Sequence, residues 1–172
     1  VADTIVTQGD YEFRAEHQNN YKKYLRTGGW NYIVLQNDIA SSDNNPALEL
    51  AGFNFETKAG KRYEIEAKIL LSSTSANTGA RIGVIYPTIL SAAIMIKSPR
   101  TAAADTQRHL TSSNDYNRVN ATPTANEPYL TFMDGLLLAG DSDGVFQVTL
   151  QSETNGVEVA ILAGSILKYR EY

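Results

Sequence analysis

Two aspartates with the spacing of a metal site stand near the end of the chain. Asp141 and Asp143 flank Ser142 and precede Gly144, and carboxylates in alternation before a glycine suit a calcium loop. An EF-hand loop also needs a third ligand two residues further on and a later bidentate glutamate. Val145 and the run after it supply neither ligand, so a turn between two strands explains the same residues.

The other groups that often carry chemistry are few. His17 and His109 are far apart in sequence, and each lies in a polar setting without a carboxylate or second ligand at a fixed spacing. We interpret both as surface residues. The absence of cysteine removes disulfides, thiolate metal sites and cysteine nucleophiles together. The sequence therefore predicts no metal and no cofactor.

Motifs for hydrolysis or nucleotide binding are also missing. Gly164-Ser165 lacks the G-x-S-x-G frame of a nucleophile elbow, and no glycine-rich phosphate loop occurs. Glu64 and Glu66 share one strand face, whereas glycoside hydrolysis needs two carboxylates about 5 to 9 Å apart across a cleft. Asn120-Ala-Thr122 matches a glycosylation sequon, a sequence that is frequent by chance. We predict that the chain is not an enzyme.

Length and charge exclude further classes of protein. A chain of 172 residues fits one domain and can bury a sizeable core. The net charge of −4 is unlike the basic footprint of a nucleic-acid binder, and no apolar run approaches the roughly 20 residues that span a bilayer. We expect a soluble chain with no nucleic-acid or membrane partner. The small first residue, Val1, is the kind that remains after methionine removal and predicts a complete gene product.

The elements that must position any site are strands. Residues 48–87 predict three, because Phe53 and Phe55 alternate with polar residues, and a second alternating run starts at Tyr63. Gly60 supplies a positive φ between them, which predicts a hairpin. The second and third runs place apolar residues at every other position, as listed here: Tyr63, Ile65, Ala67, Ile69 and Leu71, then Ala80, Ile82, Val84 and Tyr86.

The last third of the chain predicts a second hairpin. Asn155-Gly156 lies between two alternating runs, which is the strongest short hairpin pattern. A two-residue turn would pair Thr154 with Val157, Ser152 with Val159 and Leu150 with Ile161. Residues 89–97 predict another strand, and residues 166–172 a final one. Residues 101–128 predict either a long surface excursion or two thin edge strands around Leu110 and Val119.

The first 31 residues keep no clear period but are rich in large side chains. We interpret them as an irregular arm that packs across the sandwich edge or on a neighbouring subunit. An alternative is a platform for nucleic acid or glycan, because aromatic rings stack on bases and sugars, although Asp10, Glu12 and Glu16 cancel the positive charge. The candidate attachment residues are Tyr11, Phe13, Tyr21, Tyr24 and Trp30.

Together these patterns predict the fold class. At least seven strands, no convincing helix and frequent turn residues favour an all-β protein with an antiparallel β-sandwich. The predicted organisation is an N-terminal arm over residues 1–31 followed by a single sandwich domain over residues 32–172.

A series of structural glycines and core positions recurs from Ile33 to the end of the chain. These stretches are Ile33–Leu35 with Asn37-Asp38, Leu50–Phe55, Ala59–Tyr63, Thr78–Gly83 with Pro87, Asp134-Gly135, Gly144–Val148, Ser152-Glu153 and Val157–Glu171. In these positions the chain resembles a module common in tailed-bacteriophage virion proteins. The resemblance is weakest over residues 101–128, and it includes no ligand-binding residues.

This resemblance implies a jelly-roll-like domain displayed on a phage particle, usually as a homotrimer and without catalytic residues. The first expectation is a capsid-surface protein, a decoration or head-fibre subunit that binds the shell. The alternative is a receptor-binding knob of a tail fibre that recognises a host-surface glycan or protein, with residues 101–128 as the contact loop. An enzyme acting on cell-wall polysaccharide would require turnover that one carboxylate substitution abolishes.

Overall fold

The fold was analysed in a computed structural model. It describes residues 5–8, 11–14, 22–27, 29–44, 47–101, 104–110, 112–113, 115–116 and 124–172, with backbone alone for residues 5–27, 100, 101 and 116. All regular structure in these ranges is β-strand. The strands are β1 (Ile5–Gln8), β2 (Tyr11–Arg14), β3 (Lys22–Thr27), β4 (Trp30–Leu35), β5 (Ile39–Ser41), β6 (Leu48–Thr57), β7 (Arg62–Ser73), β8 (Ala80–Ile85), β9 (Ile89–Thr101), β10 (Ala104–Leu110), β11 (Asp115–Tyr116), β12 (Tyr129–Ala139), β13 (Gly144–Ser152), β14 (Val159–Ile161) and β15 (Ile166–Glu171).

The described strands form two antiparallel sheets of unequal size. The larger sheet has 11 strands, with the order β1-β2-β3-β4-β15-β7-β12-β9-β10, and with β14 beside β7 and β5 beside β14. The smaller sheet has four strands, in the order β11-β8-β13-β6. One cluster of buried side chains from both sheets forms the core. The protein is therefore an all-β sandwich, as the sequence predicts.

The strand order is that of a jelly roll. Four neighbouring strands of the larger sheet, β4-β15-β7-β12, complement β6-β13-β8-β11 of the smaller sheet. From β6 to β9 and from β12 to β14, each turn carries the chain from one sheet to the other. The hairpin β9–β10 stays within the larger sheet and widens it beyond β12.

The core has the alternation that the sequence predicts. Along β7, the inward residues are no more than 4% exposed, from Tyr63 to Leu71. Along β8, Ala80, Ile82 and Val84 are completely buried. Phe146, Val148 and Leu150 of β13, which belong to the smaller sheet, are also completely buried. Side-chain direction in a strand has period two, so these burial predictions are confirmed.

The predicted hairpin between β6 and β7 is wrong. Gly60 has the expected positive φ of 70°, and the N–H of Lys61 donates to the Lys58 carbonyl at 3.2 Å. However, β6 pairs with β13, whereas β7 pairs with β12 and β15. The turn therefore connects two sheets rather than two neighbouring strands, because both strands bury their apolar faces in the same core from opposite sides.

The register predicted around Asn155-Gly156 is wrong for the same reason. The turn forms, since Gly156 has a φ of 82° and the Val157 N–H donates to the Thr154 carbonyl at 3.2 Å. Beyond the turn, Val159 lies opposite Ser41 and Ser73 instead of Ser152. Ile161 lies opposite Ile39 and Leu71 instead of Leu150.

The N-terminal arm is more regular than its sequence pattern indicates. β1, β2 and β3 pair in succession and extend the larger sheet beyond β4. The larger sheet has 11 strands and the smaller sheet four, so part of the larger sheet extends past the sandwich. Strands outside a sandwich need no apolar face, which explains why the sequence of β1 to β3 lacks a period of two. The division at residues 31 and 32 stays a prediction, although β4 crosses it.

The segment over residues 101–128 contains the short strands β10 and β11. Leu110 is completely buried at the end of β10, which agrees with the edge-strand alternative there. Val119 lies outside the described residues. The predicted strand over residues 89–97 is confirmed and continues to Thr101.

Replacing Ile65 with aspartate should destabilise the sandwich by more than about 4 kcal/mol, because it buries an unpaired charge. Ile65 is completely buried on β7. Urea unfolding followed by circular dichroism measures the loss. The matched control is Leu70→Asp, at a half-buried position on the other face of the same strand, which should cost much less. Equal losses at both positions would contradict the assigned faces.

Candidate functional site

The outer face of the larger sheet carries a cluster of aromatic and charged side chains where β4 meets β15. The two strands are antiparallel, with Lys168 opposite Tyr32. Leu167 and Tyr169 of β15 contact the core, so alternation directs Lys168 and Arg170 outward. Strand pairing thereby places both cations beside Trp30, the first residue of β4.

Cation–π contacts hold this cluster together. Lys168 Nζ lies 4.4 Å and Arg170 Cζ 4.8 Å from the centre of the Trp30 ring. Arg170 Cζ also lies 5.0 Å from the centre of the Tyr172 ring. Such contacts contribute about 0.5–1 kcal/mol at exposed sites. Trp30 therefore anchors the start of β4 to the C-terminal strand.

Carboxylates of β7 neutralise both cations. Lys168 Nζ lies 2.7 Å from Glu66 Oε2, and the guanidinium of Arg170 hydrogen-bonds and ion-pairs with Glu64. The Tyr172 hydroxyl also donates to Glu64. This hydrogen bond and those from Arg170 lower the pKa of Glu64, and the same bond raises the pKa of Tyr172. We call Trp30, Glu64, Lys168, Arg170 and Tyr172 the cation–aromatic cluster.

A shallow groove begins at Tyr172 and follows the outer side of β12. Its volume is about 610 Å³. The lining is mainly apolar and includes one cation and two phenols: Arg62, Tyr63, Ser91, Ala92, Ala93, Leu136, Leu137, Leu138 and Tyr172. Apolar concave surfaces with few polar groups are the usual form of binding sites. The groove and the cluster share Tyr172 and form one continuous surface.

Exposed apolar side chains continue this surface along β12. Leu130, Phe132 and Leu136 alternate with buried Thr131 and Met133 and are 37%, 43% and 60% exposed. Large exposed apolar residues that share one strand face mark contact surfaces for proteins more often than scattered ones do. The outer face of β12 is therefore a candidate interface.

The structure describes four of the five predicted attachment residues, three of them by their backbone alone. Tyr11 and Phe13 lie in β2, opposite Gln8 and Val6 of β1 respectively. Tyr24 lies in β3, opposite Ile33 of β4. Tyr21 lies outside the described residues. Among the described side chains of these residues, that of Trp30 belongs to the cation–aromatic cluster.

Sequence reasoning missed most of the cluster. The sequence pattern places Lys168, Arg170 and Tyr172 only in the last strand, and it places Glu64 on a strand face with Glu66. Their spacing of two residues along the last strand indicates that Lys168, Arg170 and Tyr172 share a face. Nothing in the sequence indicates that β7 and β4 are the two neighbours of β15, and those neighbours supply Glu64 and Trp30.

The other sequence candidates have structural contacts or lie outside the described ranges. Asp143 ion-pairs with Lys58 at 2.9 Å and accepts the Ala59 N–H at 2.9 Å, so it joins two turns. His109 lies in β10, opposite Met95, while His17 and Asn120 lie outside the described residues. The described residues contain no group of three acidic or histidine side chains placed to hold a metal ion. They also contain no helix long and apolar enough to cross a membrane.

Replacing Glu64 with glutamine should reduce the free energy of unfolding at neutral pH, because Arg170 and Tyr172 lose a charged acceptor. The lowered pKa of Glu64 means that its contribution is present above the ordinary range of a glutamate and is lost as the pH falls through the folded-state pKa. The difference between wild type and variant should therefore shrink in acid. Urea unfolding at neutral and acidic pH measures both.

The control for this experiment is Glu49→Gln, at an exposed position on β6 of the smaller sheet. It should leave the free energy of unfolding unchanged at both pH values. A difference for Glu64→Gln that persists at acidic pH would contradict the charged interaction with Arg170 and Tyr172.

Comparison with known proteins adds only distant structural likenesses. No protein-family model and no curated protein matches the chain. Among solved structures, the VP2 subviral particle of infectious bursal disease virus is 11% identical, with 96% of this chain and 44% of that chain covered and a TM-score of 0.22.

Two further structures of the same virus give similar values. The structure of the Gt strain is 9% identical, and the match covers 98% of this chain and 46% of that chain. The structure of the Gx strain is 11% identical, and the match covers 93% of this chain and 45% of that chain. The TM-score is 0.22 in both comparisons. This chain spans less than half the length of the chains it matches. At this TM-score, the fold assignment rests on the strand order described above.

Proposed function

We propose that this chain is a non-enzymatic structural protein of a bacteriophage virion, a capsid-surface decoration or head-fibre subunit that binds the shell. The observation that carries the proposal is the extension of the larger sheet by β1, β2 and β3 beyond the sandwich. A sheet extended in this way presents backbone edges and faces to a neighbouring protein. The resemblance of residues 33–172 to phage virion modules supplies the setting.

The jelly roll supports the proposal without deciding it. Viral capsid domains use this architecture, but so do lectins and cupins, and a fold alone does not define a function. The contacts of Trp30 add a second support. Because Trp30 packs on Lys168 and Arg170, the start of β4 is fixed to the domain just where the extension joins it. A force on the extension would then be transmitted to the sandwich.

The subunits of this assembly are proposed to form a homotrimer, in line with the resemblance. The partners are then other copies of the chain and a shell protein of the phage particle. The proposed location is the surface of the virion.

A receptor-binding knob is the second candidate, and the sheet order favours it in one respect. β1 and β10 lie at opposite ends of the path of strands in the larger sheet. If β1 to β3 attach to the particle, then β10 lies at the far end of the larger sheet from the attachment. In this second function, residues 101–128, which include β10, contact a host-surface glycan or protein. Purified chain that binds susceptible cells and blocks infection would favour this function over the first.

Replacing Tyr24 and Trp30 together with alanine should leave the domain folded and lower its incorporation into particles. Both residues lie where the extension joins the sandwich. Quantitative mass spectrometry of purified particles measures the copies of this chain per copy of shell protein. Thermal unfolding of the isolated variant shows whether it is folded.

The matched control for incorporation is the double variant Leu90→Ala with Val145→Ala, which removes two apolar side chains that are 67% and 44% exposed elsewhere. Its incorporation should equal that of wild type. Unchanged incorporation of the Tyr24 and Trp30 variant would overturn attachment through the extension. Particles that contain the chain only in their tails would overturn the capsid location.

A further inference from the structure

Four outward side chains form a compact block on β9 and β12. Phe132 lies opposite Lys97 in the strand register, and Asp134 lies opposite Met95. Their outward direction follows from the burial of the alternate residues Ile94, Ile96 and Met133. We call Met95, Lys97, Phe132 and Asp134 the outer patch.

The block has apolar side chains on one diagonal and opposite charges on the other. Side chains directly opposite each other on neighbouring strands are about 5 Å apart, and successive residues on one face of a strand are about 7 Å apart. Phe132 and Met95 therefore occupy one diagonal, and Asp134 and Lys97 the other. This arrangement is complementary to itself.

We propose that the outer patch docks a second copy of this chain, face to face, across a two-fold axis that lies in the interface along the diagonal from Phe132 to Met95. The rotation places Phe132 against Phe132 of the partner subunit and Met95 against Met95 of the partner subunit. It also places Asp134 opposite Lys97 of the partner subunit, and Lys97 opposite Asp134 of the partner subunit. A two-fold contact of this kind is isologous, so the Asp134–Lys97 pair occurs twice, whereas the Phe132 and Met95 pairs lie on the axis and occur once each.

Rotation about the other diagonal would oppose like charges. Asp134 would then face Asp134 of the partner subunit, and Lys97 would face Lys97 of the partner subunit. Like charges directly opposite each other destabilise a contact. The charge pattern therefore selects one of the two diagonals, and the strands of the two copies cross steeply, as in orthogonal packing of sheets.

The charges of the outer patch are available for this contact. Asp134 is exposed and has no hydrogen-bonding or ion-pair partner among the described side chains. Lys97 Nζ lies 2.9 Å from Asp105 Oδ2, but both side chains are about half exposed, at 50% and 51%. An exposed pair of this kind contributes little to stability, because water and salt screen it. Lys97 can exchange Asp105 for a second carboxylate in a less hydrated contact.

Apolar residues around the outer patch supply the remaining contact area. Leu136 is 60% exposed and Phe132 43% exposed on β12, while Leu130 is 37% exposed at its start. A stable interface needs about 800 Å² from each partner, more than four side chains supply. Because the strands of the two copies cross, Leu130 would lie over β7 of the partner subunit and Leu136 toward β10, where both add apolar contact area.

The outer patch and the proposed attachment to a particle use different parts of the larger sheet, so either contact can form without the other. β1 to β3 lie at one end of the larger sheet, and β9 and β12 lie toward the other. A two-fold contact at the outer patch and a three-fold contact elsewhere would together give six copies. The two-fold contact alone would give two.

Reversing one charge of the outer patch should abolish the pairing. The Asp134→Lys substitution would place two ammonium groups opposite each other, the new one and that of Lys97 of the partner subunit, and Lys97→Asp would oppose two carboxylates. Each single variant should halve the mass that light scattering measures after size exclusion, and the double variant should restore it. Mixing the two single variants should also restore it, because each then supplies the charge that the other lacks.

The matched control is Asp141→Lys, which makes the same charge change at an exposed turn position and should keep the wild-type mass. Thermal unfolding of each variant shows whether it is folded. A wild-type chain that is monomeric up to near-millimolar concentration, or that assembles only in odd numbers, would overturn the proposal. So would a mixture of the two single variants that does not associate.

Discussion

The packing of Phe55 between the two sheets is the contact on which the rest of the structure depends. Phe55 belongs to β6 of the smaller sheet, and its ring centre lies 3.9 Å from that of Tyr169 in β15 of the larger sheet, with 7° between the planes. Phe146 and Tyr63 contact the same ring, at 5.0 and 5.5 Å. The Tyr63 hydroxyl accepts the Lys58 N–H at 2.7 Å and donates to Glu171 at 3.3 Å, so its burial leaves no polar group unpaired. With Tyr169 fixed inward, the neighbouring Lys168 and Arg170 must lie on the outer face.

The outer face of the larger sheet acquires its properties from this arrangement. Its two regions differ in how their charges are satisfied. In the cation–aromatic cluster, each cation of β15 ion-pairs with a carboxylate of β7 in the same chain, Arg170 with Glu64 and Lys168 with Glu66. In the outer patch, Asp134 has no hydrogen-bonding or ion-pair partner among the described side chains, and the proposed second copy would supply one. The first region joins the N-terminal extension to the domain, and the second is suited to association.

The unequal sizes of the sheets connect the fold with the proposed function. Four strands cover only part of a sheet of 11, and β1 to β3 extend past the sandwich at one end of the larger sheet. The β9–β10 hairpin lies at the other end, where Ile94, Ile96 and Leu110 still belong to the core. A sandwich of matched sheets would lack the extension by β1 to β3. A virion protein that binds a shell and presents a second surface requires contacts at two separate places, which the extended sheet provides.

The sequence by itself determined most of the strands of the sandwich, though not β1 to β3, and which side chains of those sandwich strands lie in the core. Alternation at Tyr63, Ile65 and Ile69 is a local property, because successive side chains of any strand point to opposite faces. The tertiary structure alone decided the partners of each strand. Gly60 and Gly156 make the turns that their sequences predict, yet each turn leads to the opposite sheet, since a turn fixes only the local chain direction. Trp30, Glu64 and Arg170 meet because β4 and β7 both pair with β15. Such pairing depends on how two sheets share one core, which is a property of the whole chain.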